Sequence, residues 1–217
     1  MGFTYVVEHM EEDDATPRAL PRWVELEYNH MRTLAGPSAS VEFTHLSRAA
    51  GAALAASFAP QDSDTALADA QCHTEGVLAL MAARDVPRER VCLLDPRAAT
   101  ELAPADGDAF SWFLFGRAGD DPPRDRTGEL RALGFPARRL GPVQMTTDTA
   151  LGVTKLVVHD KIPLADIPYV DHPTIAFNER ESVEMPFRYI ADADGAPRLP
   201  PGMREHLYED LNQPLDF

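Results

Sequence analysis

Apolar and polar positions alternate along the chain in a way that predicts strands and helices following one another in turn. "FTYVVEHM", from Phe3, reads as a strand that runs into the dense acidic segment "EHMEEDD". Helical spacing through Trp23, Leu26, Met31 and Leu34 predicts a helix over "PRWVELEYNHMRTLAG", punctuated by a proline before it and a glycine after it. "VEFTHL" predicts a second short strand, and an Ala-rich helix runs from Ser47 to Ser57. The polar stretch "PQDSDTALADAQ", Pro60 to Gln71, reads as a loop and as the place where local disorder is expected. Beyond it, "TEGVLALMAARD" predicts a helix, "RVCLLDP" a buried strand and "FSWFLFG" another continuous apolar strand. "DRTGELRALGF" predicts a short helix stopped by Gly134 and Pro136. "MTTDTALGVTKLVVHDK" predicts a further helix: Thr147 or Asp148 caps it, and Ala150, Val153, Leu156 and Val157 share a face. Short extended pieces follow at "IPYVDHPTIAF" and "MPFRYIA", then a turn at "DADGAP" and a last helix near "MREHLYEDL".

Strands alternating with helices predict an α/β domain with a mostly parallel sheet. There is no internal repeat and no clear linker, so one domain over residues 1–217 is expected. An open parallel sheet binds ligands outside the carboxyl ends of its strands. Three strand exits look alike there. After "VCLL" comes Asp95-Pro96-Arg97, after "FLF" comes Gly116 through Asp125, and after Arg139-Leu140-Gly141 comes Pro142 to Asp148 at a helix start. Glycines let backbone approach a ligand closely and prolines fix the walls around it, so three such loops suit an adenosine-like molecule held by backbone groups.

The common nucleotide signatures are missing: no GxGxxG follows the first strand, and there is no GxxxxGK[ST] and no GxSxG elbow. His9, His30, His45, His73, His159, His172 and His206 are scattered without metal-ligand spacing. Carboxylates say more. Glu8, Glu11 and Glu12 leave the first strand, while Asp120, Asp121 and Asp125 leave the later one. If both exits lie on one edge of the sheet, they form an acidic pocket suited to a guanidinium, which carboxylates grip bidentately. Asp13 and Asp14 read as a solvated charge run. "PPRDRT" has a plain reading too: Asp125 caps the short helix, Thr127 supports it, and Arg124 or Arg126 pairs with a neighbouring acid.

Composition narrows the partners. The 217 residues are 44% apolar, enough for a real core, and carry a formal net charge of −15. That balance opposes binding to a phosphate backbone, which runs on Lys and Arg displacing counterions, and favours a cationic partner. Cys72 and Cys92 stand far apart with no CxxC, so neither a disulfide framework nor a metal site is indicated, and a cytoplasmic location is expected. The run "AAGAALAASFA" is too short and Ala-rich to span a bilayer, and no membrane partner is expected.

The motifs "VVEHMEE", "VCLLDPRA", "FGRAGDDPPRDRT", "LRALGFPARRLG", "QMTTDTA", "DKIPL" and "EMPFRYI" occur in an order and spacing that resemble a SPOUT-class methyltransferase family of eukaryotes and archaea. Its fungal member is a protein arginine methyltransferase acting on a small-subunit ribosomal protein, and other members carry the label RNA methyltransferase. The resemblance spans roughly Tyr5 to Ile190. It implies a deep trefoil knot in the C-terminal part, an exception to unknotted topology, with the knot and cofactor site at roughly 90–160. It implies S-adenosylmethionine bound by Leu94, Asp95 and Pro96, by Gly116 and Gly119, and by Leu140, Gly141, Gln144, Met145 and Thr146. Asp121 and Glu8 are then assigned to gripping the guanidinium, with Asp125 as alternative, while Arg124 orders the loop or meets the cofactor carboxylate. A monomer is favoured over a knot-mediated dimer. One departure stands out: Gly116-Arg117-Ala118-Gly119-Asp120-Asp121 is one residue shorter than the family's Gly-Gly-Ile-Leu-Gly-Asp type of loop and has arginine in place of its second glycine. The alternatives are methylation of RNA, and a cofactor-binding or ribosome-assembly module without transfer.

Overall fold

The computed structural model describes residues 2–9, 20–58, 66–116 and 126–212. The central sheet has six strands, β1 (Thr4–Glu8), β2 (Ser40–Thr44), β3 (Asp69–Cys72), β4 (Val91–Leu94), β5 (Trp112–Gly116) and β6 (Ala137–Arg138), in the order β3-β2-β1-β5-β4-β6. Every pairing within it is parallel, as the alternation of strands and helices predicts. Between the strands run α1 (Arg22–Ala35), α2 (Arg48–Ser57), α3 (Val77–Ala83), the single turn α4 (Asp106–Ala109) and α5 (Arg126–Ala132). After β6 come α6 (Thr147–Val158) and two small antiparallel ribbons. One pairs β7 (Tyr169–Asp171) with β10 (Arg188–Ile190), the other β8 (Thr174–Ala176) with β9 (Ser182–Glu184), and α7 (Met203–Leu211) follows them.

Period-two alternation divides the core between the two faces of the sheet. Tyr5, Val7, Val41, Phe43, Phe113 and Phe115 pack against Val24, Tyr28 and Met31 of α1, Leu54 of α2 and Leu151, Val153 and Val157 of α6. On the other face Val6, Val91, Leu93, Trp112 and Leu114 meet Val77, Leu80 and Met81 of α3 and Leu130 of α5. Strands covered on both faces read as continuous apolar runs, which is how "VCLL" and "FSWFLFG" look in the sequence.

Two expectations need correction. Asp69–Gln71, placed at the end of the polar loop, belong to the edge strand β3, which pairs with β2 alone; Asp69 and Gln71 are exposed while Ala70 and Cys72 pack against the core. The earlier part of that loop, residues 60–65, lies outside the described residues. The N-cap of α6 is Thr146, one position before the first of the expected caps, and its hydroxyl donates to the Thr149 hydroxyl at 2.8 Å instead of meeting a backbone amide. Asp148 turns inward and is fully buried.

Candidate functional site

Because β1, β5, β4 and β6 are parallel neighbours, their exits open side by side on one edge. Glu8 at the end of β1 stands in register with Thr44 on one side and Gly116 on the other. The acidic end of the first strand and the start of the glycine-rich loop are therefore neighbours, as the acidic-pocket reading requires. After β1 the chain turns toward β2, whereas after β5 it turns toward the far edge; such a reversal opens a crevice at the strand ends. Gly116 sits where a Cβ would come within 3.1 Å of the Thr127 hydroxyl, so the absent side chain lets the start of α5 fold back over the strand end. Gly119, Asp121, Arg124 and Asp125, all assigned to the site from the sequence, lie outside the described residues.

Glu8 is placed at this edge, but its carboxylate is already engaged. It lies on the α3 face of β1, where it accepts from the Thr44 hydroxyl and from the Val77 amide at 2.9 Å, while His45 Nδ1 approaches at 3.3 Å. Gly76 makes room, since a Cβ there would lie 2.9 Å from Glu8 Oε1. An ionised carboxylate has about four acceptor positions, and three are taken here. In the free protein the Glu8 carboxylate, assigned from the sequence to gripping a guanidinium, thus does structural work: its even position along β1 points it at the first turn of α3, and it holds the ends of β1, β2 and α3 together.

Asp95 shows the same pattern at the first exit. Leu94 and Asp95 are buried and Pro96 is exposed. The Asp95 carboxylate takes the Arg131 guanidinium at 2.5 and 2.8 Å and the Arg97 amide at 2.9 Å. Burial alone raises the carboxyl pKa, but the Arg131 hydrogen bonds and the Arg97 amide outweigh it and hold the group below the usual aspartate value. Asp95 thereby shapes the exit and ties it to α5. What it leaves for a ligand at this turn is carbonyl oxygen, since the Asp95, Arg97 and Ala98 amides are taken and Pro96 has none.

At the third exit, Gly141 has φ +106, a conformation that favours glycine, and it swings the chain away from β6 toward α6. The amides of Leu140, Gly141 and Gln144 make no hydrogen bond among the described residues, which leaves them as donors at the edge. Met145 and Thr146 are buried, and Gln144 is exposed. The loop is braced from outside by Arg188, whose amide donates to the Gln144 carbonyl at 2.8 Å and whose guanidinium is held by Asp171 at 2.5 and 2.8 Å. Arg188 and Arg131 were not singled out in the sequence. They brace two of the exits from distant segments, and only "EMPFRYI" hinted at one of them.

A polar cluster that the sequence reading also missed lies where α1 crosses α6. Glu27 and His30 of α1, Asp148 of α6 and Tyr189 of β10 are all buried. His30 Nδ1 and Asp148 Oδ2 are 2.8 Å apart, while Asp148 Oδ1 and the Tyr189 hydroxyl have no hydrogen-bond partner. Burial, then the nearby charges of Asp148 and Glu27, push the Tyr189 phenol far above its ordinary pKa. Neither cysteine offers a nucleophile, because burial lifts Cys72 to about 11 and Cys92 to about 12. No group of three or more metal-ligating side chains occurs among the described residues.

The geometry is matched by family. The profile described as "Protein arginine N-methyltransferase SFM1-like" fits residues 4–214. The chain belongs to this family. The Saccharomyces cerevisiae protein arginine N-methyltransferase SFM1 is 50% identical over 132 residues, which make up 58% of this chain and 62% of the yeast protein. The chain thus spans less than two thirds of that relative in the alignment. Crystal structures of yeast SFM1 superpose more extensively. The complex with SAM gives a TM-score of 0.80 at 34% identity, covering 98% of this chain and 93% of the yeast chain. The complex with SAH gives 0.77, also at 34% identity, covering 94% of each. The family to which the sequence motifs pointed is the family found, and the SFM1-like fold carries the mostly parallel sheet and flanking helices described above.

Proposed function

We propose that this chain transfers a methyl group from S-adenosylmethionine to an arginine side chain of a basic protein, a component of the small ribosomal subunit. The observation that carries the reading is the convergence of the β5, β4 and β6 exits on one edge, in a fold shared with a yeast protein crystallised with SAM. The third exit suits such a ligand. Gly141 brings backbone close, and the amides of Leu140, Gly141 and Gln144 face no competing partner among the described residues.

Bound there, the sulfonium supplies a methyl already activated for transfer, so what the chain must add is alignment and exclusion of water. Leu94, Met145 and Thr146 are buried and form a dry floor beneath the exits. Arginine is a weak nucleophile because its charge is delocalised and its pKa exceeds about 12. A carboxylate beside the guanidinium localises that charge and accepts the proton lost on methylation. Asp121 is assigned this role, with Asp125 as alternative and Arg124 on the cofactor carboxylate, while Glu8 keeps the neighbouring exits in register. We further propose one domain with the chain knotted between about 90 and 160, acting as a monomer in the cytoplasm.

Incubation with methyl-labelled cofactor, small-subunit ribosomal proteins and ribosomal RNA tests this directly. Label is expected on protein arginine, and label in RNA alone refutes the assignment. Asp121→Asn is expected to slow transfer about 100-fold while cofactor affinity stays within about twofold; loss of cofactor binding instead would contradict the division of roles.

A further inference from the structure

The buried cluster between α1, α6 and β10 is unlike an ordinary core. A buried hydroxyl or carboxylate oxygen without a partner costs the folded protein free energy, and native interiors satisfy nearly all of them. Here two such acceptors stand in one cluster: Tyr189, 1% exposed, and Asp148, 0% exposed, whose other oxygen is held by His30. The cluster is also tied to the cofactor edge through the chain itself. Asp148 lies two residues beyond Thr146, and Tyr189 follows Arg188, which bridges to Met145 and bonds Gln144. Both orphan atoms are thus carried by the segments that shape the third exit.

The chemistry that fits is a group rich in donors and free of acceptors. A guanidinium has five N–H donors in a plane and accepts nothing. Asp148 contributes negative charge, and Glu27 of α1 adds a second buried carboxylate beside Tyr189. A methyl-accepting arginine has to bring its nitrogen to the cofactor edge; among the described residues of the third exit and its braces the buried unpaired polar atoms are these two and the Tyr169 hydroxyl, and Tyr169 already has its ring against the Arg188 guanidinium, which leaves Tyr189 and Asp148 as the pair on the α6 side.

We propose that Tyr189 and Asp148 form the inner wall of the substrate-arginine pocket, their unpaired oxygens accepting N–H donors of the guanidinium, with His30 holding Asp148 in the accepting orientation. This rests on the arginine-methylation reading and adds to it a wall on the α6 side of the sheet. A site built to hydrogen-bond its ligand loses discrimination when one of the partners is deleted, because the remaining groups are left unpaired.

The test is Tyr189→Phe, followed through three measurements: the rate of labelled methyl transfer to small-subunit ribosomal proteins at subsaturating substrate, cofactor Kd by calorimetry, and Tm. An unpartnered hydroxyl contributes no contact in the free protein, so its removal leaves Tm unchanged or raised. The proposal expects that result together with unchanged cofactor Kd and a transfer rate down about tenfold, with Asp148→Asn losing more. Unchanged transfer overturns it. So does a lowered Tm with unchanged kinetics, the signature of a structural water bridging the two oxygens, and so does a loss of transfer matched by equal loss of cofactor affinity. If the unsubstituted protein labels no arginine at all, the underlying reading falls and the pocket with it; normal labelling by Tyr189→Phe sinks the pocket alone.

Discussion

Asp95 carries a charge into the interior because Arg131 and the Arg97 amide meet it there, and this has a consequence for acid stability. Its carboxyl pKa is lower in the folded protein than in the unfolded chain, where about 3.9 is expected. A group depressed on folding contributes stability in full above the unfolded value and loses it as pH falls through the folded value. Asp95→Asn is therefore expected to cost about 1–3 kcal/mol at pH 7, to lower Tm there, and to flatten the fall of Tm between neutral pH and the acid range. A thermal melt series across pH checks this, and a variant that melts like the unsubstituted protein at pH 7 removes Asp95 from any structural role. Glu8 makes the same point from the other side. Both acids were read from the sequence as ligands, and both have their oxygens engaged by the protein.

The elements were legible where burial is strong. β4 and β5 are buried along nearly their whole length, so they stand out as apolar runs, and α1 shows its stripe through Val24, Tyr28 and Met31. β3 was missed because its inward positions are only Ala70 and Cys72, a short and weak alternation beside exposed Asp69 and Gln71, and β6 because two residues carry no period. The three exits were found from glycines, prolines and their position after strands. What braces them was not, since Arg131 and Arg188 act across distances in sequence that no local pattern records, and Asp148 looks like a helix cap until tertiary packing turns it toward His30. The third exit offers its own test. Gly141→Ala forces a side chain into a backbone conformation costing about 1–3 kcal/mol, so it is expected to move the loop and weaken cofactor binding at least tenfold by calorimetry, while Asp95→Asn leaves that affinity nearer the original. Undiminished binding by Gly141→Ala means that the loop is not a wall of the site.

For the molecule as a whole, the parallel sheet sets the site by bringing separate segments to one edge: β1 from the start of the chain, β4 and β5 from the middle, and β6 with α6 beyond them. The formal charge of −15 gives the molecule as a whole a balance that opposes a phosphate backbone and suits the basic protein proposed as substrate. Family membership agrees with this arrangement over residues 4–214. The most direct measurement is a crystal structure of the protein with S-adenosylmethionine bound. The account predicts the ligand lying across the exits of β5, β4 and β6, hydrogen-bonded to amides between Leu140 and Gln144, with its methyl turned toward the crevice between β1 and β5. A ligand bound anywhere else on the molecule, or across those exits with its methyl turned away from that crevice, contradicts it.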